Sequence, residues 1–304
     1  MNFLKGFVTV CAAIFFIFVL ISIGAMSSQF GGGSSSFKPL VKDSILNLTL
    51  DGVIIDGKNI LEPLRKYAQD DNIKGVLIQI NSPGGVVGPS QEIYSEIMKI
   101  KNELKKPVVV TCNAMAASGG YYVASAASKI VTNPGTLMGS IGVIMQFADL
   151  SKLYDWAKVN TYSITSGEFK DAGSQARPMT EEEREYFQSM IDEVQGQFVK
   201  AILANRKIAD YIVEKYADGR IFTGATAVEL GFADIVGTYS DALKEVGKLA
   251  GLGDKPEVFT PAKKRPDMFE LLGEMKLPFA ETKPFTQALE LIGKPLALMP
   301  GVLN

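Results

Sequence analysis

Lys74-Gly75-Val76-Leu77-Ile78-Gln79-Ile80-Asn81-Ser82-Pro83-Gly84-Gly85 is a compact apolar run closed by a turn, and its reading decides the fold. An apolar run of this length bounded by Asn, Ser, Pro and Gly reads as a strand over 74–80. Ser90 to Leu104 follows with helical periodicity, and Pro107 to Asn113 is another strand, Val-rich and bracketed by turn signals. Upstream, Ser44 to Ile55 reads as strand and Ile60 to Gln69 as helix; downstream come a helix over Gly120 to Ala127 and short strands over Lys129 to Val131 and Ile141 to Met145. This β-α-β-α-β rhythm predicts an α/β fold: a parallel sheet with right-handed βαβ crossovers.

The later part is more helical. Thr180 caps a run that opens with Glu181-Glu182-Glu183, carboxylates suited to a helix N-terminus, and that helix is expected to reach Asn205. Shorter helices are expected over Ile208 to Ala217, Thr226 to Leu230 and Asp241 to Leu249, with a short strand over Asp234 to Val236. Beyond Thr260 the composition changes: six prolines, from Pro261 to Pro300, punctuate short apolar pieces. Residues 261–304 therefore read as a tail and not as a second domain. No internal repeat at a solenoid period is present.

At the other end, Phe7 to Met26 is a nearly continuous apolar segment without a charge, long enough as a helix to cross a bilayer. It reads as a retained anchor first and a cleaved signal second. Lys5 precedes it, which favours the N-terminus inside and the remaining chain outside. The expected organisation is an anchor over 1–27, a Gly/Ser-rich tether over 28–38 containing Gly31-Gly32-Gly33-Ser34-Ser35-Ser36, a catalytic domain over 39–260 and the tail. The net charge of -2 gives no reason to expect nucleic acid. Two cysteines in unlike contexts, Cys11 and Cys112, argue against a disulfide framework; with no histidine, a zinc site and other cofactors are not expected.

The absence of histidine sharpens the reading of Met115-Ala116-Ala117-Ser118-Gly119-Gly120. Small residues on both sides of Ser118 let the backbone turn sharply and let a carbonyl approach. A serine hydroxyl needs a base to take its proton, and with histidine missing the main candidate is a lysine held neutral by burial. Two glycine-rich turns, 81–85 and 117–120, each follow a strand. If those strands are neighbours, amides near Gly85 and Gly119 converge as an oxyanion hole. The plain alternative is a pair of ordinary strand-to-helix turns.

Four motifs occur in order: Asn81-Ser82-Pro83-Gly84-Gly85, Met115-Ala116-Ala117-Ser118-Gly119-Gly120-Tyr121-Tyr122, Gly139-Ser140-Ile141-Gly142-Val143 and Ser166-Gly167-Glu168-Phe169-Lys170. As a set they resemble the SppA-type signal peptide peptidases in their short form, membrane-anchored bacterial Ser/Lys proteases of the ClpP/crotonase-like fold. The resemblance covers roughly residues 45 to 250. It implies Ser118 as nucleophile, Lys170 as general base, Ser140 as the hydroxyl that orients the lysine, and Gly85 and Gly119 as oxyanion-hole amides. It further implies apolar peptides such as cleaved signal peptides as substrates, contact with membrane lipid through residues 7–26, a ring-shaped homo-oligomer in which Lys170 serves the Ser118 of a neighbour, and a bacterial inner membrane with the catalytic domain outside the cytoplasm. Glu168 and Asp171 oppose a neutral Lys170 unless they point away. Tyr121 and Tyr122 read as core packing, and Ile141 to Phe147 as buried strand or protomer interface.

Two other readings stand beside this one. The same fold carries acyl-CoA chemistry, which needs neither a Ser/Lys pair nor an anchor. A catalytically silent scaffold that binds apolar peptides or a membrane partner is the other. Near the C-terminus, Leu296-Ala297-Leu298-Met299 itself resembles an apolar peptide substrate. It is expected either to enter the groove, as a brake or self-substrate, or to be a disordered or interface-packing end.

Overall fold

The computed structural model describes residues 41–262 and 296–298. The expected anchor, the tether and most of the tail lie outside those residues. Among the described residues, no helix is long and apolar enough to cross a membrane.

The central sheet is assembled from βαβ units. Strand β1 (Ser44–Asp51) leads through helix α1 (Lys58–Tyr67) to β2 (Ile73–Ser82), which pairs parallel to it. A short strand β3 (Gly84–Val86) and helix α2 (Val87–Asn102) lead on to β4 (Val108–Ala117), parallel to β2 on its other side. Helix α3 (Gly119–Ser125) follows at once. Beyond it, β4 is shared between two partners. Its first half pairs with β5 (Lys129–Thr132), its last three residues with β6 (Leu137–Gly139), both parallel. A register shift between Ile80 and Ser82, which pair with Cys112 and Ala116, marks where β4 bends from one partner to the other.

Three peripheral strands complete this sheet among the described residues: β7 (Ile221–Thr223) antiparallel to β6, β8 (Ile235–Val236) beside β5, and β9 (Glu257–Phe259) beside β1. The side-chain alternation of the strands sorts the core into two layers. Leu46, Leu48, Val76, Ile78, Val108 and Val110 face the larger core. That core also takes in buried residues of α1, α2, α3 and the long helix α5 (Glu181–Asn205). Ile45, Leu77, Val109 and Val131 face the opposite way, against Ala242 and Val246 of α8 (Tyr239–Leu249). Both faces of the strands are covered, which is why they read as continuous apolar runs.

The expected mixed α/β fold with a mostly parallel sheet is therefore present. The cap of α5 is as expected: Thr180 Oγ1 accepts the Glu183 N–H at 3.2 Å and Glu183 returns a carboxylate oxygen to the Thr180 N–H at 3.0 Å. One strand expectation is corrected. The strand lies at 137–139 and not at 141–145, because Gly139 and Ser140 both take positive φ (89° and 50°) and end the pairing there. Of the following run only Ile141 is fully buried, while Ile144 and Phe147 are exposed. Helices α6 (Asp210–Tyr216) and α7 (Gly224–Leu230) fall close to their expected positions. Helix α4 (Ser151–Ala157), with no buried residue, was not expected.

Candidate active site

Ser118 is the one residue between β4 and α3, and its backbone is held at φ 51°, ψ -119°. That combination lies outside the regions a residue with a Cβ prefers, and such strain costs on the order of 1–3 kcal/mol. The flanking structure imposes it. The Ser118 N–H donates to the Gly139 carbonyl at 2.7 Å, and its carbonyl accepts the Tyr122 N–H at 2.8 Å. Strand end and helix start are thus pinned on either side of one residue. The Ser118 side chain is buried, and its Oγ donates to the Gly142 carbonyl at 3.4 Å, a long bond that is easily exchanged.

Gly85 is fixed from the other side of the sheet. The Gly84 carbonyl accepts the Ile54 N–H at 2.8 Å, and the Val86 N–H donates to the Ile54 carbonyl at 2.7 Å. In a trans peptide the N–H points opposite to the carbonyl of the same unit, and cis bonds are absent among the described residues. The N–H and carbonyl of Gly85 must therefore both point away from Ile54. A Cβ at Gly85 would sit 2.1 Å from the Ile54 carbonyl oxygen, so only glycine fits. Strand β3 lies alongside the start of α3, with Cα atoms within 8 Å. The end of β2 is also close to that helix: a Cβ on Gly120 would meet the Ser82 carbonyl at 2.9 Å. Gly119 opens α3, and as a first-turn amide its N–H has no acceptor within the helix.

Ser140 is buried in the turn that Ser118 binds, with its N–H donating to the Arg220 carbonyl at 2.7 Å. The hydrogen bonds from Ser118 to Gly139 and Gly142 bracket it. Four of the expected site residues, Gly85, Ser118, Gly119 and Ser140, thus gather at the carboxyl ends of neighbouring strands β2, β4 and β6, where parallel sheets bind ligands. Buried Cys112, on the same strand as Ser118, has its thiol pushed up to about 12 by desolvation, and is no nucleophile at neutral pH.

Lys170 lies elsewhere. It sits in a single 3₁₀ turn, Glu168–Asp171, on an exposed arm, and among the described residues its amine makes no hydrogen bond or ion pair. Within one chain it is not within hydrogen-bond reach of Ser118, whose Oγ meets the Gly142 carbonyl. Asp171 is engaged elsewhere, by Arg177 at 3.4 Å and by the Ser163 hydroxyl at 3.1 Å. The arm is anchored to α5 by Phe169 against Tyr186 and by Phe147 against Phe187. The rest of its apolar surface is open: Trp156 is 80% exposed, Tyr162 87% and Ile164 93%. Tyr121 and Tyr122 are core residues as expected, the first donating its hydroxyl to the Phe232 carbonyl at 2.9 Å.

Sequence reasoning did not single out Ile54 or Gly142. Ile54 acts through its backbone, which leaves no mark in residue type. Gly142 lies within the quoted 139–143 motif, and that was its only signal.

Residues 100–253 match the family model for peptidase family S49, and residues 35–136 match that for Clp protease. A putative protease of Synechocystis sp. is 38% identical over 240 residues, covering 78% of this chain and 86% of that protein. A putative protease of Methanocaldococcus jannaschii is 40% identical over 200 residues, 66% of this chain and 62% of the relative. A putative signal peptide peptidase SppA of Enterococcus faecium is 35% identical over 223 residues, 69% and 64% of the two chains. The chain thus spans slightly less than two thirds of the length of the last two.

Proposed function

The chain belongs to peptidase family S49, a family of serine-type peptidases, and on that premise we propose that it is a membrane-anchored endopeptidase in which Ser118 and Lys170 act as a dyad on remnant signal peptides and other short apolar peptides. Ser118 Oγ attacks the substrate carbonyl, Lys170 takes the proton and passes it to the leaving amine, and water hydrolyses the acyl-enzyme. The developing oxyanion is held by the amides of Gly85 and Gly119, and Ser140 orients the lysine. Residues 7–26 hold the enzyme in a bacterial inner membrane, with the catalytic domain on its outer side.

The observation that carries this reading is the orientation of Gly85. Its amide is forced away from Ile54 by two backbone hydrogen bonds, beside a buried serine held in a strained turn. A glycine locked so that its N–H is turned away from Ile54 suits a developing negative charge.

The exposure of Lys170 supports assembly. A lysine accepts a proton only as the neutral amine, which dry surroundings favour. In one chain the lysine is in water, on an arm that exposes Trp156, Tyr162 and Ile164. A second copy of the chain covering that arm supplies the dry surroundings and brings Lys170 to the neighbouring Ser118, in a ring-shaped homo-oligomer. The test is cleavage of a fluorogenic apolar peptide in detergent by the wild type and by Ser118→Ala at matched assembly state. Activity that the substitution abolishes is the expected result; wild-type activity in Ser118→Ala removes the proposal.

A further inference from the structure

Residues 161–170 are all exposed, the seven that follow, 171–177, are all half-buried, and Lys170 is the last residue before that change. Arg177 holds the chain there. Its guanidinium binds Asp171 twice: Nε donates to the carboxylate at 3.4 Å and Nη2 to the backbone carbonyl at 3.0 Å. The same group takes Glu183, on the first turn of α5, with both arms of its fork, Nη1 to one carboxylate oxygen at 3.0 Å and Nη2 to the other at 2.6 Å. We propose that Arg177 is a positioning residue for the base: it fixes the turn carrying Lys170 to α5 and occupies the carboxylate next to that lysine. This inference rests on the reading of Lys170 as general base.

Glu183 is a fixed point. Its side chain is 6% exposed, and it already caps α5 by accepting the Thr180 N–H at 3.0 Å. The hydrogen bond from Arg177 is the main reason its carboxyl stays below the usual carboxylate range. Tyr186 packs against Phe169 with ring centroids 5.0 Å apart. Residues 183 and 186 are three apart, on one face of the helix. Lys170 is therefore flanked by two attachments to that face, through Phe169 before it and Asp171 after it. Helix α5 is itself rooted in the core: Phe198 is buried and packs on Tyr122 of α3, the helix that begins after Ser118. A lysine at 177 would bring the charge without the planar fork that spans two carboxylate oxygens and a carbonyl.

The charge matters as well as the position. A carboxylate beside a lysine favours the protonated amine, which cannot act as a base. With Arg177 in place, Asp171, Glu183 and Arg177 together carry one net negative charge; without it they carry two. The other Asp171 carboxylate oxygen accepts the Ser163 hydroxyl at 3.1 Å, and the segment 159–164 that brings Ser163 has no charged residue, Tyr162 being its one titratable group. On α5, Glu181 and Arg184 pair with each other at 3.6 Å, and Glu182 and Glu185 are exposed, as is Glu168 in the turn itself. Asp171 is thus the carboxylate adjacent to Lys170, and Arg177 is its charged partner.

The test is the pH dependence of kcat/KM on a fluorogenic apolar peptide in detergent, at an assembly state matched by sedimentation, for wild type, Lys170→Ala, Arg177→Gln, Arg177→Lys and Asp171→Asn. The acid limb marks where the base loses its proton, so added negative charge moves it to higher pH. In Arg177→Gln the limb is expected to rise by about 0.5–1 pH unit and kcat on the plateau to fall about 10²-fold. Arg177→Lys is expected to return the limb to its wild-type position while kcat stays low, since the charge is back and the fork is not. Asp171→Asn keeps the Arg177–Glu183 pair, and so the fold should Arg177→Gln lose it, and is expected to lower the limb. A limb that Arg177→Gln leaves in place, or that Asp171→Asn leaves in place or raises, overturns the inference alone, provided Lys170→Ala is inactive. Wild-type activity in Lys170→Ala, or a wild type that cleaves nothing, overturns the inference and the proposed function together.

Discussion

The buried end of the sheet around Ser118 and the exposed arm around Lys170 are built on opposite principles. At the first, Ser118, Gly119 and Ser140 are buried, and the N–H groups of Ser118 and Ser140 donate to the Gly139 and Arg220 carbonyls. At the second, residues 159–170 are all exposed, and helix α4 buries none of its side chains. A nucleophile and an oxyanion amide need fixed positions, which a packed core supplies at once. A lysine base needs to lose water, which an exposed arm achieves only when something covers it. Under the proposed function, the nucleophile and oxyanion amides are positioned within one chain and the base is delivered on assembly.

The strongest way to break that comparison is to separate the two halves. Lys170→Ala and Ser118→Ala are each expected to lose roughly 10⁴-fold or more in kcat. Mixing the two inactive proteins under conditions that allow subunit exchange is expected to restore a measurable fraction of wild-type activity, since some neighbours then pair an intact Ser118 with an intact Lys170. No recovery in a verified mixed assembly would place the base in the same chain as its serine.

A smaller effect, confined to the buried half, is expected for Gly85→Ala. Its Cβ would overlap the Ile54 carbonyl oxygen, turning the amide, and a lost oxyanion donor lowers kcat about 10²- to 10³-fold. Peptide KM measured alongside separates this from general loss of binding; an unchanged kcat would remove Gly85 from the oxyanion role.

On the exposed arm, Trp156→Asp is expected to leave the monomer fold intact, because surface substitutions away from packed features shift stability by about 0.5 kcal/mol or less. It is expected to shift sedimentation toward smaller species and to lower activity in proportion. Unchanged sedimentation and activity would show that this surface is not where copies meet.

Much of the molecule was legible because its signals are local. The βαβ rhythm follows from apolar runs punctuated by turns, and the α5 cap from Thr180 and Glu183 three residues apart. Ser118 stood out because small residues surround it and the chain has no histidine. The strand misplaced at 141–145 shows the limit. That run is apolar and β-prone, but the preceding residues are turned to positive φ by their fit against β7, where a Cβ at Gly139 would meet Phe222 at 2.5 Å. Nothing in the run itself records that contact.

The sequence by itself determined the α/β architecture and the long capped helix and singled out Ser118 as a candidate, because periodicity, capping and residue chemistry act over a few neighbouring positions. The tertiary structure alone decided which way the Gly85 amide points, that Lys170 stands apart from Ser118 in a single chain, and that Leu296–Leu298 pair antiparallel with β3, Ala297 opposite Gly85. Each of those depends on backbone hydrogen bonds or packing between segments far apart in the chain. Backbone groups are the same in every residue, so their partners are settled only when the strands meet.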